Sequence, residues 1–165
     1  SASMSGGSFS SIGMGRYIAR PSAVGSDVTI SVASNDNGKS RQMGKFTFHV
    51  RKLPDPAAYL SIGTDRFRGG GLAKASLMGA HGIKAAIDDG ILDIEFKVTG
   101  FETVFFDNMG NAVPMASAGA SFSERQRETF RKLSRGKRFY ISRITAVGPD
   151  GITRKLNGSM EVIVK

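Results

Sequence analysis

Apolar and polar residues alternate along much of the chain, and this period of two predicts β-strands. Phe46, Phe48 and Val50 alternate with polar residues, as expected of a strand with one buried face and one face in water. Residues 28–32 show the same alternation, and Asn-Asp-Asn-Gly at 35–38 supplies residues that tolerate the positive φ of a tight turn. The two segments are therefore predicted to form a β-hairpin.

The second strand of this hairpin cannot continue through Pro54-Asp55-Pro56. Each proline lacks a backbone N–H donor and restricts the residue before it, so a central sheet ladder stops here. A basic, Ser/Gly-rich β segment precedes the prolines and a more acidic segment follows them. We therefore expect a semi-rigid joint between one domain over residues 1–53 and another over residues 54–165.

Most of the second domain is predicted to be β-sheet. Residues 57–62 favour a short strand, and residues 92–106 alternate strongly, with Gly100 marking a bulge or a bend. Residues 139–164 contain several short alternating runs separated by turn residues, which is typical of a β-meander. The fold class is accordingly mainly β.

Two segments of the second domain favour helix instead. Residues 73–78 predict a short helical turn. Residues 123–135 predict one amphipathic helix, because Ser123 and Gln126 can form a capping box and Gly136 can adopt the left-handed exit conformation. Phe130 and Leu133 would supply most of the helix's buried stripe, since the rest of its surface is charged.

The residues that usually carry catalysis or bind metals do not cluster in this sequence. The chain has no cysteine, its two histidines, His49 and His81, stand apart, and the acids between 88 and 95 lack the spacing of a calcium loop. The glycines at 69–71 lack the register of a phosphate-binding loop. We therefore predict that the protein is not an enzyme and holds no cofactor or metal.

Charge is distributed unevenly along the chain, whose net charge is +9. Residues 1–52 carry +5, residues 53–108 carry −3 and residues 109–165 carry +7. Such segregation implies that the basic segments bind an acidic partner or a nucleic acid, or that they pair with acidic residues of the chain itself. The sequence does not choose among these. For most cations of the helix at 123–135 a solvated face is the first interpretation, ahead of contact with a protein and then with nucleic acid.

Four stretches resemble the C-terminal region of the GldM/PorM family, the periplasmic shaft proteins of gliding motility and type IX secretion. The similar stretches are GRYIARPS (15–22), MGKFTFHVRKLPDPA (43–57), LDIEFKVTGF (92–101) and GPDGITRKLN (148–157). They occur in a consistent order over nearly the whole chain, and the second is the most specific.

The resemblance implies a structural role at the distal end of a periplasmic shaft. Residues 1–53 would be the closing, incomplete part of an immunoglobulin-like third domain, and residues 54–165 a β-sandwich-like fourth domain. The full-length protein would be anchored in the inner membrane by an N-terminal segment and would dimerise, here through exposed strands of residues 1–53. Its partners would be outer-membrane-associated ring proteins, with no membrane or nucleic-acid contact by this part.

Candidate contact residues follow from exposed loops and uncompensated charge, where binding tends to concentrate. A basic nucleic-acid-binding protein is the alternative function, and a carbohydrate-binding β-sandwich is a weaker third because the chain has no tryptophan and three tyrosines. The predicted protein-binding residues are Arg66, Arg68, Arg127, Arg131, Lys132 and Arg135.

Overall fold

A computed structural model describes residues 1–165, which separate into two units, Ser1–Leu53 and Pro54–Lys165. The division falls at the prolines where the sequence places a domain joint. Strands account for 58% of the residues and helices for 9%, so the predicted mainly β class is confirmed. That the first unit is an incomplete immunoglobulin-like domain stays a prediction.

The first unit consists of five antiparallel strands, β1 (Ala2–Ser5), β2 (Gly7–Gly13), β3 (Arg16–Pro21), β4 (Asp27–Asp36) and β5 (Lys39–His49). They form a three-stranded sheet, ordered β1-β4-β5, and a separate β2-β3 hairpin. The predicted hairpin is present as β4 and β5, joined by a turn in which Asn37 and Gly38 have φ values of 49° and 78°.

The prediction of a buried face on β5 is wrong for its two phenylalanines. Phe46 and Phe48 are 55% and 53% exposed, whereas Val28 on β4 is 4% exposed. The register pairs Phe46 with Ile30 and Phe48 with Val28, so the apolar side chains do share one face. No element of the first unit covers the β5 edge of that face, and alternation alone cannot show whether a covering layer exists.

The second unit is built on one nine-stranded sheet and two helices. Its elements are β6 (Ala57–Ile62), β7 (Asp65–Phe67), β8 (Gly70–Leu72), α1 (Lys74–Gly79), β9 (Ile83–Asp88), β10 (Asp93–Phe106), β11 (Ala112–Ser117), α2 (Glu124–Lys132), β12 (Arg138–Val147), β13 (Thr153–Lys155) and β14 (Met160–Val164). Seven strands follow one another in the order β7-β6-β9-β10-β12-β14-β8, and β11 and β13 pair beside this path with β10 and β12. Most neighbours are antiparallel, and only β14 and β8 run parallel.

Strand β10 connects the parts of this sheet because its 14 residues pair with three different strands. Its first residues, 93–96, pair with β9, and residues from Lys97 onward pair with β12. The register with β12 shifts on both sides of Gly100, so the predicted bulge is present. Beyond the bulge, β10 also pairs with β11.

Helix α2 packs on the sheet through one aromatic residue. The ring of Phe130, 1% exposed, lies 4.9–5.8 Å from the rings of Phe105, Phe122 and Phe139. Aromatic rings at such distances contribute beyond the area they bury. This cluster therefore fixes the helix across β10 and β12.

The predicted capping box of α2 is present, but the helix ends earlier than predicted. The Ser123 hydroxyl accepts from the Gln126 amide, and the Gln126 side chain accepts from the Ser123 N–H at 2.8 Å. Leu133 already has extended backbone angles, φ −67° and ψ 128°, so the helix stops at Lys132. Gly136 is left-handed, with φ 85°, but it lies in the loop beyond the helix.

Candidate functional site

The two arginines predicted in the glycine loop have different environments. Arg66, in β7, donates to the Asp88 carboxylate at 2.7 Å, and its guanidinium lies 5.0 Å from the centre of the Tyr59 ring. The positive charge of Arg66 is therefore already paired within the second unit, at the edge of its sheet. Arg68 is exposed, makes no ion pair and lines a shallow cleft of about 200 Å³ with Pro56 and Ala58.

The first two predicted cations of α2 are also engaged within the unit. Arg127 is half-buried and donates to the backbone carbonyl of His81 at 3.3 Å. Arg131 pairs with Glu124 at 3.0 Å, with both side chains more than half exposed. Such exposed pairs contribute little to stability, about 0–1 kcal/mol. Arg131 is therefore available to a partner at small cost, whereas Arg127 is not.

The remaining predicted cations are free. Lys132 and Arg135 are exposed and take part in no ion pair or side-chain hydrogen bond. Lys137, which was not among the predicted contacts, is also exposed and unpaired. Uncompensated positive charge thus concentrates in the last residues of α2 and the loop after it, on elements different from those that carry Arg66 and Arg68.

Next to these cations lies an open groove of about 470 Å³, called here the aromatic–basic groove. Phe106 is 45% exposed, and its ring centre lies 6.0 Å from that of half-buried Tyr140 at an interplanar angle of 85°. The groove is lined by Phe106, Asp107, Asn108, Gly110, Leu133, Gly136, Lys137, Arg138 and Tyr140.

The carboxylates at the groove are already occupied. Asp107 accepts hydrogen bonds from the Met109 and Asn111 amides, both at 2.8 Å, and from the Asn111 side chain at 3.0 Å. The Asn111 side-chain and backbone donors hold the pKa of Asp107 below its ordinary value. Glu161 accepts from Arg138 and from the Tyr140 hydroxyl, each at 3.0 Å. Neither acid neutralises Lys137.

Backbone hydrogen bonds and the side chain of Lys74 hold the loop after α2, which lines the groove together with the Asp107 turn. The Gly136 amide donates to the Val164 carbonyl at 2.8 Å, and the Val164 amide donates to the Lys137 carbonyl at 2.9 Å. The Lys74 ammonium donates to the carbonyls of Arg131 and Leu133 at 2.8 and 2.9 Å. This ammonium satisfies carbonyls that the end of α2 leaves unpaired.

The positive charge of this region is visible in the sequence, whereas the aromatic residues of the groove floor were not predicted. Phe106 could be noticed as the outward member of a Phe-Phe pair at the end of a predicted strand. Tyr140 and Leu133 become its neighbours only through the pairing of β10 with β12 and the path of the loop after α2. A local pattern carries no signal of that contact.

The structure contains neither a cluster of metal-binding side chains nor a long apolar helix. No three His, Cys, Asp or Glu side chains lie close enough together to hold a metal ion. Neither helix combines the length and the hydropathy needed for a membrane crossing.

Comparison with known families gives two matches that follow one another along the chain. The family model described as the GldM third domain matches residues 1–51, and the model described as the GldM C-terminal domain matches residues 54–165. Comparison with curated proteins gave no match. The resemblance drawn from the sequence motifs is thereby confirmed.

Proposed function

The chain belongs to the GldM family, whose members are components of gliding motility and type IX secretion, and we propose that it is a docking module of such a machine. Its partners are the outer-membrane-associated ring proteins of that machine, and its role is structural rather than catalytic. The family is membrane-anchored with a periplasmic C-terminal part, and we place this chain in the periplasm.

The observation that carries the docking proposal is the free charge beside the aromatic–basic groove. Lys132, Arg135 and Lys137 have no carboxylate partner, and Phe106, almost half exposed, lines the groove together with Lys137. Interfaces are enriched in aromatic residues, and unpaired surface charge steers encounter with an oppositely charged partner. Arg68 and Arg131 are exposed and serve as secondary contacts.

A second copy of the chain is the proposed occupant of the exposed apolar face of the first unit. Phe46 and Phe48 lie side by side with Ile30 and Val28 on one face of the sheet, and both phenylalanines are more than half exposed. Large contiguous apolar surface is uncommon on monomers and marks interaction sites. This supports the homodimer expected from the resemblance.

Direct binding tests the docking proposal. The full chain is immobilised, and purified ring proteins and single-stranded nucleic acid are passed over it in separate runs across a salt series. Ring-protein binding that weakens when Lys132→Glu and Arg135→Glu are combined supports the proposal. The matched reversals Lys97→Glu and Lys155→Glu, at exposed sites on β10 and β13, serve as the control. Steeply salt-dependent nucleic-acid binding with no ring-protein binding would overturn it in favour of the nucleic-acid alternative.

A further inference from the structure

The aromatic–basic groove offers two different kinds of contact within one small site. Phe106 and Tyr140 provide aromatic surface, and Lys137 provides a charge that no carboxylate of the chain neutralises. We infer that the groove binds an extended acidic segment of a partner protein, with one aromatic or long aliphatic side chain of that segment against Phe106. The inference rests on the proposed function and specifies the chemistry of the docking partner.

The apolar part of the occupant follows from the shape of the floor. The Phe106 and Tyr140 rings meet edge to face, and Leu133 is half-buried on the neighbouring wall. A buried aromatic or aliphatic side chain is the type of group that dominates the binding energy of small interfaces. The groove volume of about 470 Å³ is enough for one such side chain and a few backbone atoms around it.

The acidic part of the occupant follows from the balance of charge. Among the lining residues Lys137 is free, and Lys132 and Arg135 flank Leu133 and Gly136 in the chain. The groove's one lining carboxylate, Asp107, has its oxygens bound by its own turn. A carboxylate of the partner therefore meets uncompensated cations without displacing an existing ion pair of Lys137.

The site is also held in shape before any partner arrives. Its lining includes the Asp107 turn, closed by its own hydrogen bonds, and the loop after α2, which is bonded to Val164 and Lys74. Binding then orders few protein groups, which removes part of the entropic cost of association. A preformed groove suits a flexible segment that adopts its bound conformation on docking.

Single-stranded nucleic acid fits the groove less well than a peptide does. Binding of such strands relies on several aromatic faces along a basic track, each stacking a base. Here the two aromatic rings contact each other at 85°, and the groove ends between a turn and a loop. The surface offers one anchoring position and not a track.

Peptides of defined composition test this inference with the full chain. Fluorescein-labelled octapeptides are compared by anisotropy: an Asp/Glu peptide with one central Phe, the same peptide with Ala for Phe, and a Lys peptide with the Phe retained. An oligouridine of similar length is the nucleic-acid arm. The acidic Phe peptide is expected to bind about tenfold or more tightly than the other two peptides.

Variants then locate the binding site. Phe106→Ala and Lys137→Glu are each expected to weaken the acidic Phe peptide by about tenfold, while Ile91→Ala, at a residue 89% exposed, and Lys155→Glu, also at an exposed residue, leave it unchanged. Equal effects of groove and control variants, or tighter oligouridine than peptide binding, overturn the inference. Ring proteins are measured with the same variants: if they bind the unaltered chain and ignore both groove variants, the inference fails and the proposed function stands.

Discussion

The guanidinium of Arg154 donates two hydrogen bonds to the carboxylate of Asp150, at 2.6 and 3.1 Å. The Arg154 side chain is 4% exposed, and its guanidinium also lies 5.3 Å from the centre of the Phe96 ring and 3.4 Å from Asp55. Asp55 stands between the two prolines at the start of the second unit, and Asp150 belongs to the Pro-Asp-Gly turn. Residues from three of the four stretches that carry the family resemblance, 43–57, 92–101 and 148–157, thus meet at one buried arginine.

This arginine makes the stability of the second unit dependent on pH in a defined range. Its hydrogen bond lowers the pKa of Asp150 to about 2 from an ordinary value of 3.8. The ionised carboxylate therefore stabilises the fold fully above pH 3.8, and this contribution is lost as the pH falls through 2. In urea unfolding between pH 6 and pH 2, the stability advantage of the unaltered chain over Asp150→Asn is expected to shrink below about pH 4.

The stability difference between these two proteins is the informative quantity, because other carboxylates titrate in both. A difference that stays constant down to pH 2 would contradict the assignment of this pH dependence to Asp150.

Arg154→Lys provides a second comparison. It keeps the charge but loses the paired hydrogen bonds and the ring contact, so thermal unfolding is expected on the order of 5 °C lower.

Gln126 joins the start of α2 to the sheet. Its amide nitrogen donates to the Thr103 hydroxyl at 3.0 Å and to the Met115 carbonyl at 2.9 Å, and the residue is 0% exposed. Gln126→Ala removes these bonds and the bond from the Ser123 N–H to the Gln126 side chain, and it is expected to lower the free energy of unfolding by about 2–3 kcal/mol. Denaturant unfolding measures the change, and Glu128→Ala, on the exposed side of the same helix, is the control.

Lys74 supports the loop that forms one wall of the aromatic–basic groove. Lys74→Met keeps the apolar stem but removes the donor to the Arg131 and Leu133 carbonyls. The free energy of unfolding is expected to fall by about 1 kcal/mol. Amide hydrogen exchange in residues 133–137 is expected to accelerate more than exchange in β10. Uniform acceleration across the unit would indicate that Lys74 does not act on the loop in particular.

The exposed face of the first unit predicts a change of oligomeric state rather than of monomer stability. Phe46→Ser combined with Phe48→Ser is expected to convert a dimer into monomers in analytical ultracentrifugation, because a second copy would bury both rings. Met109→Ser, at an 87% exposed residue of the second unit, is the control. If the double variant sediments like the unaltered chain, this face is not the dimer interface.

Local rules explain which parts of the structure could be predicted from the sequence. The capping box of α2 was predictable because Ser123 and Gln126 are three residues apart, a spacing fixed by helix geometry. The other bonds of Gln126 reach Thr103 and Met115, 23 and 11 residues away, and depend on the packing of the helix over the sheet. No local pattern contains that information.

The same distinction applies to the candidate site. The unpaired cations were visible in the sequence, but their grouping beside Phe106 was not, since Phe106 and Lys137 lie on different elements of the fold. The apolar face of β5 was also predicted correctly as a face, while its exposure was not. Whether a face is covered depends on what packs over it, and alternation along a strand does not report this.

The pairing of β10 with β9, β12 and β11 determines how the second unit unfolds. Strand β10 cannot leave the sheet alone, because its loss breaks the hydrogen bonds to the strands on both of its sides at the same time. Opening is therefore close to all-or-none for the sheet, with edge strands such as β7 fraying first. Under the proposed docking function, such a unit would transmit displacement as one body until it unfolds entirely.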